Sequence, residues 1–230
     1  MRRLALFDID CTLIAPHNAG GRAIVVALRD VYGVSGSLDG YSYHGRTDPQ
    51  IIRELVALWG NGHPDSFVDE RLEQCLALYT ELLREEVAEG IIEVLPGVGD
   101  LVRALSAEPD VTMGLLTGNI LDGARIKLGT TDFAQLFEFG AYGSDSAHRP
   151  DLPAIAVARA EALTGYRFNG KEIAIIGDTP ADITCGASLG VKAIGVATGK
   201  HTRAELAEHA PDYLFDDLSD WRSVAAAVLA

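Results

Sequence analysis

Short apolar runs that end abruptly in polar turn residues constrain the fold of this 230-residue chain most strongly. From about residue 90 onward, such runs, rich in Val and Ile, alternate with longer stretches in which apolar residues recur at helical spacing. The clearest runs are 3–7, 111–116, 172–176 and 191–196. Strands that alternate with helices predict βα units. The expected fold is therefore α/β, with a doubly wound, Rossmann-like parallel sheet.

The segment from residue 15 to residue 89 has a different pattern. It contains no buried-strand run, and its apolar residues recur at three- and four-residue spacing, most clearly along residues 68–87. Thr47 and Gln50 are spaced as a capping box that opens another helix. We therefore predict an α/β core that is interrupted by a helical cap, with the core at 1–14 and 90–230 and the cap at 15–89.

Composition excludes several classes of protein. With 48% hydrophobic and 23% charged residues, the chain can bury a sizeable core, which excludes fibrous and disordered classes. Its formal net charge of −14 has the wrong sign for a nucleic-acid partner or an anionic membrane surface. No run approaches the roughly 20 apolar residues of a membrane span. A small anionic substrate remains compatible, because a metal ion or a local cation can invert the field inside one pocket.

Cysteine usage indicates a reducing compartment. Cys11, Cys75 and Cys185 are odd in number and widely spaced, so neither a disulfide framework nor a CxxC zinc site is indicated. Asp8 and Asp10 interrupt the first apolar run too early for a signal peptide. We therefore expect a cytoplasmic location, and the oligomeric state, monomer or homodimer, stays open.

Two carboxylates, Asp8 and Asp10, follow the first apolar run directly. Residues two apart on a strand share a face, and a carboxylate beside a buried strand is costly without a partner. Mg²⁺ is a natural partner, because it binds carboxylate and carbonyl oxygens and keeps positions open for water and phosphate. The alternative is a surface turn, which Asp and Thr12 would also favour.

A third carboxylate, Asp178, ends a later apolar run. The residues after it fit a helix N-terminus, with Thr179 as the N-cap, Pro180 in the first turn and Asp182 completing the cap. That explanation does not cover Asp178. If the carboxyl ends of parallel strands meet at one edge, Asp178 joins Asp8 there, which favours the metal interpretation.

Two further elements could bind an anion. Thr117-Gly118-Asn119 ends another strand, and a hydroxyl with free backbone amides at a helix start suits a phosphate, although Asn119 could equally be an N-cap. Arg149 precedes a helical run at 152–163 and could balance the charge of a bound phosphate through forked hydrogen bonds. The alternative for Arg149 is a solvated surface arginine.

Taken in chain order, these elements resemble the four motifs of the haloacid dehalogenase superfamily of hydrolases, and the resemblance covers nearly the whole chain. Asp8-x-Asp10-x-Thr12 matches the first motif, Thr117 the second, and Gly177-Asp178-x-x-x-Asp182 the fourth. There are two departures: Arg149 stands where a lysine is more usual, and Cys11 replaces the commonest glycine of the first motif. The insert at 15–89 is similar to the small helical cap of one large branch.

The resemblance implies a mechanism. Asp8 would attack phosphorus to form an aspartyl phosphate, and Asp10 would protonate the leaving alkoxide and then activate water. Mg²⁺ would be bound by the carboxylates of Asp8 and Asp178 and the backbone carbonyl of Asp10, with Asp182 orienting its waters. The transferred phosphate would be held by Thr117, Arg149 and the backbone amides of Ile9 and Asp10, with Thr12, Gly118 and Asn119 beside them.

The resemblance also implies a substrate class, because phosphoglycolate phosphatases are similar in cap placement and core motifs. We expect a small phosphorylated metabolite. Arg46, in a turn before a cap helix, could bind a substrate carboxylate, and the alternative is a solvated arginine in a helix-capping turn.

Other activities of the superfamily differ in the residues that they need. Dehalogenation needs neither Asp10 nor Asp178, so the presence of both favours phosphoryl transfer. Phosphonate cleavage needs a lysine in the cap, and the first lysine of this chain, Lys127, lies beyond the cap. A sugar phosphate mutase shares every core residue and stays open as an alternative. A non-catalytic phospho-ligand-binding or scaffold domain is a second alternative, although it would leave a buried cluster of negative charge without a use.

Overall fold

The strands of this protein form one parallel sheet and one short ribbon. They are seen in a computed structural model, which describes residues 2–60, 62–90 and 92–230. Met1, Asn61 and Ile91, which the expected domain ranges include, lie outside the described residues. In chain order the strands are β1 Arg3–Phe7, β2 Ile14–Ala15, β3 Glu93–Val94, β4 Val111–Leu116, β5 Gly140–Ala141, β6 Ile173–Gly177, β7 Lys192–Val196 and β8 Tyr213–Phe215. The parallel sheet has the order β5-β4-β1-β6-β7-β8, and β2 pairs antiparallel with β3.

Within the described residues, the helices in chain order are α1 Ala19–Tyr32, α2 Asp48–Trp59, α3 Asp65–Glu89, α4 Val98–Ser106, α5 Leu121–Leu128, α6 Leu152–Thr164, α7 Pro180–Thr184, α8 Arg203–Ala207 and α9 Trp221–Leu229. Helices that follow β3 in the chain cover both faces of the sheet. Successive side chains of β1 point to opposite faces. Phe7 packs in a cluster with residues of α4 and α9, whereas Leu6 packs in a separate cluster with residues of α6. The predicted doubly wound sheet is therefore confirmed.

Strand boundaries differ from the sequence prediction by one residue at two places. The run predicted at 172–176 forms a strand from Ile173 to Gly177, and the run predicted at 191–196 begins at Lys192. Glu172 does not join the strand because its carboxylate accepts a hydrogen bond from the backbone N–H of Asn169, at 2.9 Å, and closes the preceding turn.

The helices α1, α2 and α3 lie between β2 and β3 in the chain and share their own hydrophobic cluster. The predicted start of α2 is observed, since the Thr47 hydroxyl accepts from the backbone N–H of Gln50 at 3.3 Å. The Gln50 side chain does not complete a capping box and donates instead to Glu54. The bounds expected for the cap, 15–89, stay a prediction. Among the described residues, no helix combines the length and apolar character needed to cross a membrane.

Candidate active site

Asp8 and Asp178 lie at the carboxyl ends of two neighbouring parallel strands, β1 and β6. The backbone N–H of Asp8 still donates to the carbonyl of Ile176, at 2.9 Å, so the first residue beyond β1 is fixed to the edge of the sheet. Asp182, in the first turn of α7, completes the group. Carboxylate oxygens of the three aspartates lie within 4.8 Å of one another, and all three side chains are buried.

The electrostatics of these aspartates fit a divalent cation. Burial, followed by the charge of Asp182, raises the pKa of Asp8 to about 7. Burial and the charges of Asp182 and Asp8 likewise raise the pKa of Asp178 well above its ordinary value. One oxygen of Asp178, Oδ2, is buried and has no hydrogen-bond partner. Because three close carboxylates repel one another and an oxygen donor remains unused, Asp8 and Asp178 suit a hard, oxygen-binding cation.

Arg149 balances part of this negative charge. Its Nη2 donates to Oδ1 of Asp182 and lies 3.4 Å from Oδ1 of Asp8. Asp182 is also committed to the start of α7, where its other oxygen accepts from the backbone N–H and the hydroxyl of Thr179 at 3.0 and 2.6 Å. The Nε of Arg149 is buried and has no hydrogen-bond partner. The guanidinium is therefore held beside Asp8 with one donor unused.

Asp10 does not join the three clustered carboxylates and is oriented by other residues. Its Oδ2 accepts from Nδ2 of Asn119 at 2.8 Å and from Nζ of Lys127 at 2.6 Å. Its Oδ1 is buried and has no partner. Lys127 also donates to Oδ1 of Asn119 at 2.7 Å. The two carboxylates of the first motif thus have different surroundings, with Asp8 near Arg149 and Asp10 near Lys127.

Lys127 is the site residue that sequence reasoning missed. From the core helix α5 its ammonium reaches Asp10, and its side chain is 4% exposed. A signal was present in the sequence, because Lys127 falls on the same face of α5 as Gly123 and Ala124, both of which are buried. A lysine on the apolar face of a helix requires a buried anionic partner.

Most of the residues expected to hold phosphate line one cavity, and Thr12 does not. Thr117, Gly118 and Asn119 line a cavity of about 80 Å³ at the strand ends, together with Asp8 and Arg149. The hydroxyl of Thr117 accepts from Nδ2 of Asn119 at 2.8 Å. The backbone N–H of Ile9 is directed at the Asp8 carboxylate and lowers its pKa.

Thr12 is placed differently from the other expected phosphate ligands. It is fully buried and does not line the cavity, and its hydroxyl donates to Oδ1 of Asp178 at 3.4 Å. Its contact in the structure is therefore with an acidic side chain at the strand ends.

The start of α2 closes the cavity from the cap side. The backbone N–H of Asp48 donates to the carbonyl of Gly118, and the Asp48 carboxylate accepts from the backbone N–H of Ile120, both at 2.8 Å. The hydroxyl of Thr47 donates to the carbonyl of Ala147 at 2.8 Å. A Cβ added to Gly118 would lie 2.0 Å from the carbonyl oxygen of Arg46, which shows how closely the cap approaches the core.

Arg46 is half-buried and lines the cavity, and its guanidinium is partly engaged within the cap, with its Nε making no hydrogen bond. Its Nε lies 2.8 Å from a carboxylate oxygen of Glu54, one Nη donates to the carbonyl of Ser42, and the guanidinium lies over the ring of Tyr41. Arg46 is therefore not the fully solvated arginine of the alternative interpretation. Whether it binds a substrate carboxylate stays a prediction.

The loop after β7 covers the site from the other side. The hydroxyl of Thr198 donates to the carbonyl of Cys11 at 2.5 Å, and a Cβ added to Gly199 would lie 1.8 Å from Oδ2 of Asp178. Cys11 itself adopts φ 59°, the left-handed region that glycine tolerates best. Burial and the charges of nearby aspartates raise the pKa of its thiol to about 12, so it stays protonated at neutral pH.

Known proteins that are similar to this chain carry the names of hydrolases and phosphatases. Residues 154–221 match a family model described as "HAD-hyrolase-like". Probable phosphatase IndB of Dickeya dadantii is 26% identical over 240 residues, covering 100% of this chain and 96% of that protein. A phosphoglycolate phosphatase of Pseudomonas fluorescens is 24% identical, covering 94% of this chain and 77% of that protein.

A solved structure shares the fold over nearly its whole length. CbbY from Rhodobacter sphaeroides in complex with phosphate superposes with a TM-score of 0.72 and 20% identity, covering 96% of each chain. Its likeness concerns the architecture, which combines the parallel sheet and the helical insert found here. Together with the order of the four motifs along the chain, these findings show that the protein is similar to haloacid dehalogenase-like hydrolases.

Proposed function

We propose that this protein is a Mg²⁺-dependent phosphatase that hydrolyses a small organic phosphate monoester through an aspartyl phosphate on Asp8. One observation carries the proposal. A buried carboxylate, Asp8, faces a small cavity between a second carboxylate with an unused oxygen, Asp178, and the guanidinium of Arg149. A cation bound by Asp178 on one side of Asp8, and Arg149 on the other, would bring Asp8 close to a phosphate despite the repulsion of like charges.

The chemistry divides into two displacements. In the first, an oxygen of Asp8 forms a bond to phosphorus, the bond from phosphorus to the leaving oxygen breaks, and a proton on Asp10 passes to that oxygen. In the second, Asp10 takes a proton from water, the water oxygen bonds to phosphorus, and the Asp8 carboxylate is released. Arg149 and Thr117 would bind the phosphoryl oxygens throughout. A bound Mg²⁺, held by Asp8, Asp178 and the carbonyl of Asp10, would offset the charge between Asp8 and the phosphate.

The cavity favours a small leaving group. Its volume of about 80 Å³ is well below the ~300–1,000 Å³ of pockets that accept drug-sized ligands. Tyr43, His44 and Arg46 of the cap line the side away from the sheet. A phosphorylated two- or three-carbon acid would fill this space and could place its carboxylate near Arg46. This fits the phosphoglycolate-like activity that the names of several relatives suggest.

The test is hydrolysis of p-nitrophenyl phosphate by the purified protein in Mg²⁺, followed by removal of the metal with a chelator. We expect turnover that stops with chelator and returns with Mg²⁺. Asp8→Asn should abolish turnover without loss of fold, because the neutral amide cannot act as the nucleophile. Asp122→Asn, at an exposed position of α5, is the matched control and should keep its activity. Normal turnover by Asp8→Asn would contradict the proposal.

The same preparation separates a phosphatase from a sugar phosphate mutase. A phosphatase releases inorganic phosphate from a panel of phosphorylated metabolites. A mutase instead accumulates or requires a sugar bisphosphate and releases little phosphate. Phosphorus NMR of the reaction mixture distinguishes the two outcomes.

A further inference from the structure

We infer that Lys127 is a positioning residue that holds one oxygen of Asp10 so that the other oxygen faces the leaving group. The inference rests on the proposed function, in which Asp10 protonates the leaving oxygen. It assigns a role to a core lysine that lies outside the four sequence motifs.

The geometry at Asp10 is asymmetric. Its Oδ2 accepts two hydrogen bonds, from Nζ of Lys127 at 2.6 Å and from Nδ2 of Asn119 at 2.8 Å, whereas its Oδ1 accepts none and is buried. Asp10 lines the cavity, whereas Lys127 does not. Since two donors on one oxygen fix the rotation of a carboxylate, Oδ1 is the atom left to exchange a proton with a reacting group.

The position of Lys127 is itself strongly determined. Its Nζ also donates to Oδ1 of Asn119 at 2.7 Å, so Lys127, Asn119 and Asp10 form a closed triangle of hydrogen bonds. The cap reaches Lys127 at ordinary contact distance, because a Cβ added to Gly20 of α1 would lie 3.6 Å from Nζ. Lys127 is therefore held by hydrogen bonds to two side chains, and its Nζ stays beside Oδ2 of Asp10.

If Lys127 positions the acid Asp10, its loss should affect some substrates more than others. The loss of a residue with a purely structural role would not. Ethoxide and similar alkoxides leave phosphorus slowly unless they receive a proton, whereas acetate leaves as a stable anion. If Lys127 aims Asp10, its loss should slow the hydrolysis of alkyl phosphates and spare that of acetyl phosphate. A general loss of fold or of phosphate binding would slow both substrates equally.

The experiment uses Lys127→Met, which keeps a long apolar side chain and removes the charge. Enzyme in excess over substrate is mixed with Mg²⁺ and either acetyl phosphate or the alkyl phosphate that the wild-type protein hydrolyses fastest. Release of the leaving group is followed over the first turnover, so that only formation of the aspartyl phosphate is measured. We expect the rate for the alkyl phosphate to fall about 100-fold, the contribution typical of a general acid, and the rate for acetyl phosphate to change little.

Two further variants make the result decisive. Lys192→Met removes another lysine whose side chain is buried, but its Nζ donates to the carbonyls of Ala227 and Val228, so both substrates should respond alike. Asn119→Ala removes the second donor to Oδ2 of Asp10 and a donor to the hydroxyl of Thr117. It should therefore slow both substrates, and the alkyl phosphate more than acetyl phosphate, even if Lys127→Met does not fold. Equal losses for the two substrates in Lys127→Met and Asn119→Ala, or no loss in either, would overturn the inference. Failure of the wild-type protein to hydrolyse any ester would instead contradict the proposed function.

Discussion

Arg149 and Asp182 form an ion pair that water hardly reaches, since their side chains are 5% and 1% exposed. The pair connects two parts of the site, because Arg149 also approaches Asp8 and Asp182 caps α7. In a buried pair, loss of one partner leaves an uncompensated charge, which is the main cost of such a substitution.

Arg149→Met should therefore destabilise the metal-free protein by about 3–5 kcal/mol, measured by urea unfolding in the presence of chelator. Arg149→Lys should cost less, because it keeps the charge although it loses the forked geometry. The control is Arg159→Met, which breaks a more exposed pair with Asp145 and should cost about 1 kcal/mol or less. Similar losses of unfolding free energy for Arg149→Met and Arg159→Met would show that the buried pair stabilises the protein no more than the exposed pair.

Gly199→Ala should reduce Mg²⁺ affinity and activity together. A Cβ at position 199 would lie 1.8 Å from Oδ2 of Asp178, so either the loop or the carboxylate must move. Because this oxygen is the one left without a hydrogen bond, its displacement should be detected as weaker Mg²⁺ binding by calorimetry. Gly123→Ala is the control, since its added Cβ would meet only ordinary contacts at 3.5 Å or more. Unchanged Mg²⁺ affinity in Gly199→Ala would contradict the prediction and would mean that the loop moves while the Asp178 carboxylate keeps its position.

The parts of the fold that could be predicted depend on local pattern. The apolar run of β1 and the polar residues after it predict a strand and its end, and parallel pairing then brings Asp8 and Asp178 to one edge. The hydroxyl of Thr47 accepts a hydrogen bond at the start of α2 because the capping interaction spans only three residues. The end of the strand and the cap of the helix each depend on residues that are close together in the sequence.

The parts that could not be predicted depend on the closure of the cap and of the loop after β7. Lys127 contacts Asp10 across 117 residues, and nothing close in sequence indicates that partner. Arg46 approaches Glu54 in the second turn of the next helix, and the motif residues alone do not indicate that contact. No sequence neighbour of Gly199 indicates that a side chain would not fit at this position. The side chain is excluded by Asp178, which approaches Gly199 in the folded protein.

Arg46→Ala should raise the KM for a phosphate ester that carries a carboxylate more than the KM for a neutral ester. The expected ratio is roughly tenfold or more, since a hydrogen bond to a charged group contributes about 1.5–3 kcal/mol. The control is Arg53→Ala, which removes a cap arginine paired with Asp69 on the outer side of α2. If Arg46→Ala affects both esters alike, the Arg46–Glu54 pair supports the shape of the cap and does not select the substrate.

Asp48 should make the protein less stable as pH rises through mildly acidic values. Burial raises the pKa of Asp48 from 3.8 to about 6, even though Lys127 and the N–H of Ile120 favour its charged form. Below pH 3.8 the group is mostly protonated in both the folded and unfolded states. Between 3.8 and about 6 the unfolded chain loses this proton while the folded protein retains it, so the free energy of unfolding declines by up to about 3 kcal/mol.

Asp48→Asn removes this titration and keeps an oxygen that can accept from Ile120. Urea unfolding of the wild-type protein and the variant, at roughly pH 4 and pH 7, should therefore show the variant gaining stability relative to the wild type at the higher pH. Asp39→Asn, at a surface position whose carboxylate bonds only to nearby Ser37, is the control and should not change the relative stability between the two pH values. An Asp48→Asn difference that is the same at both pH values would mean that Lys127 fully compensates the buried charge, and that the start of α2 closes on the core at no electrostatic cost.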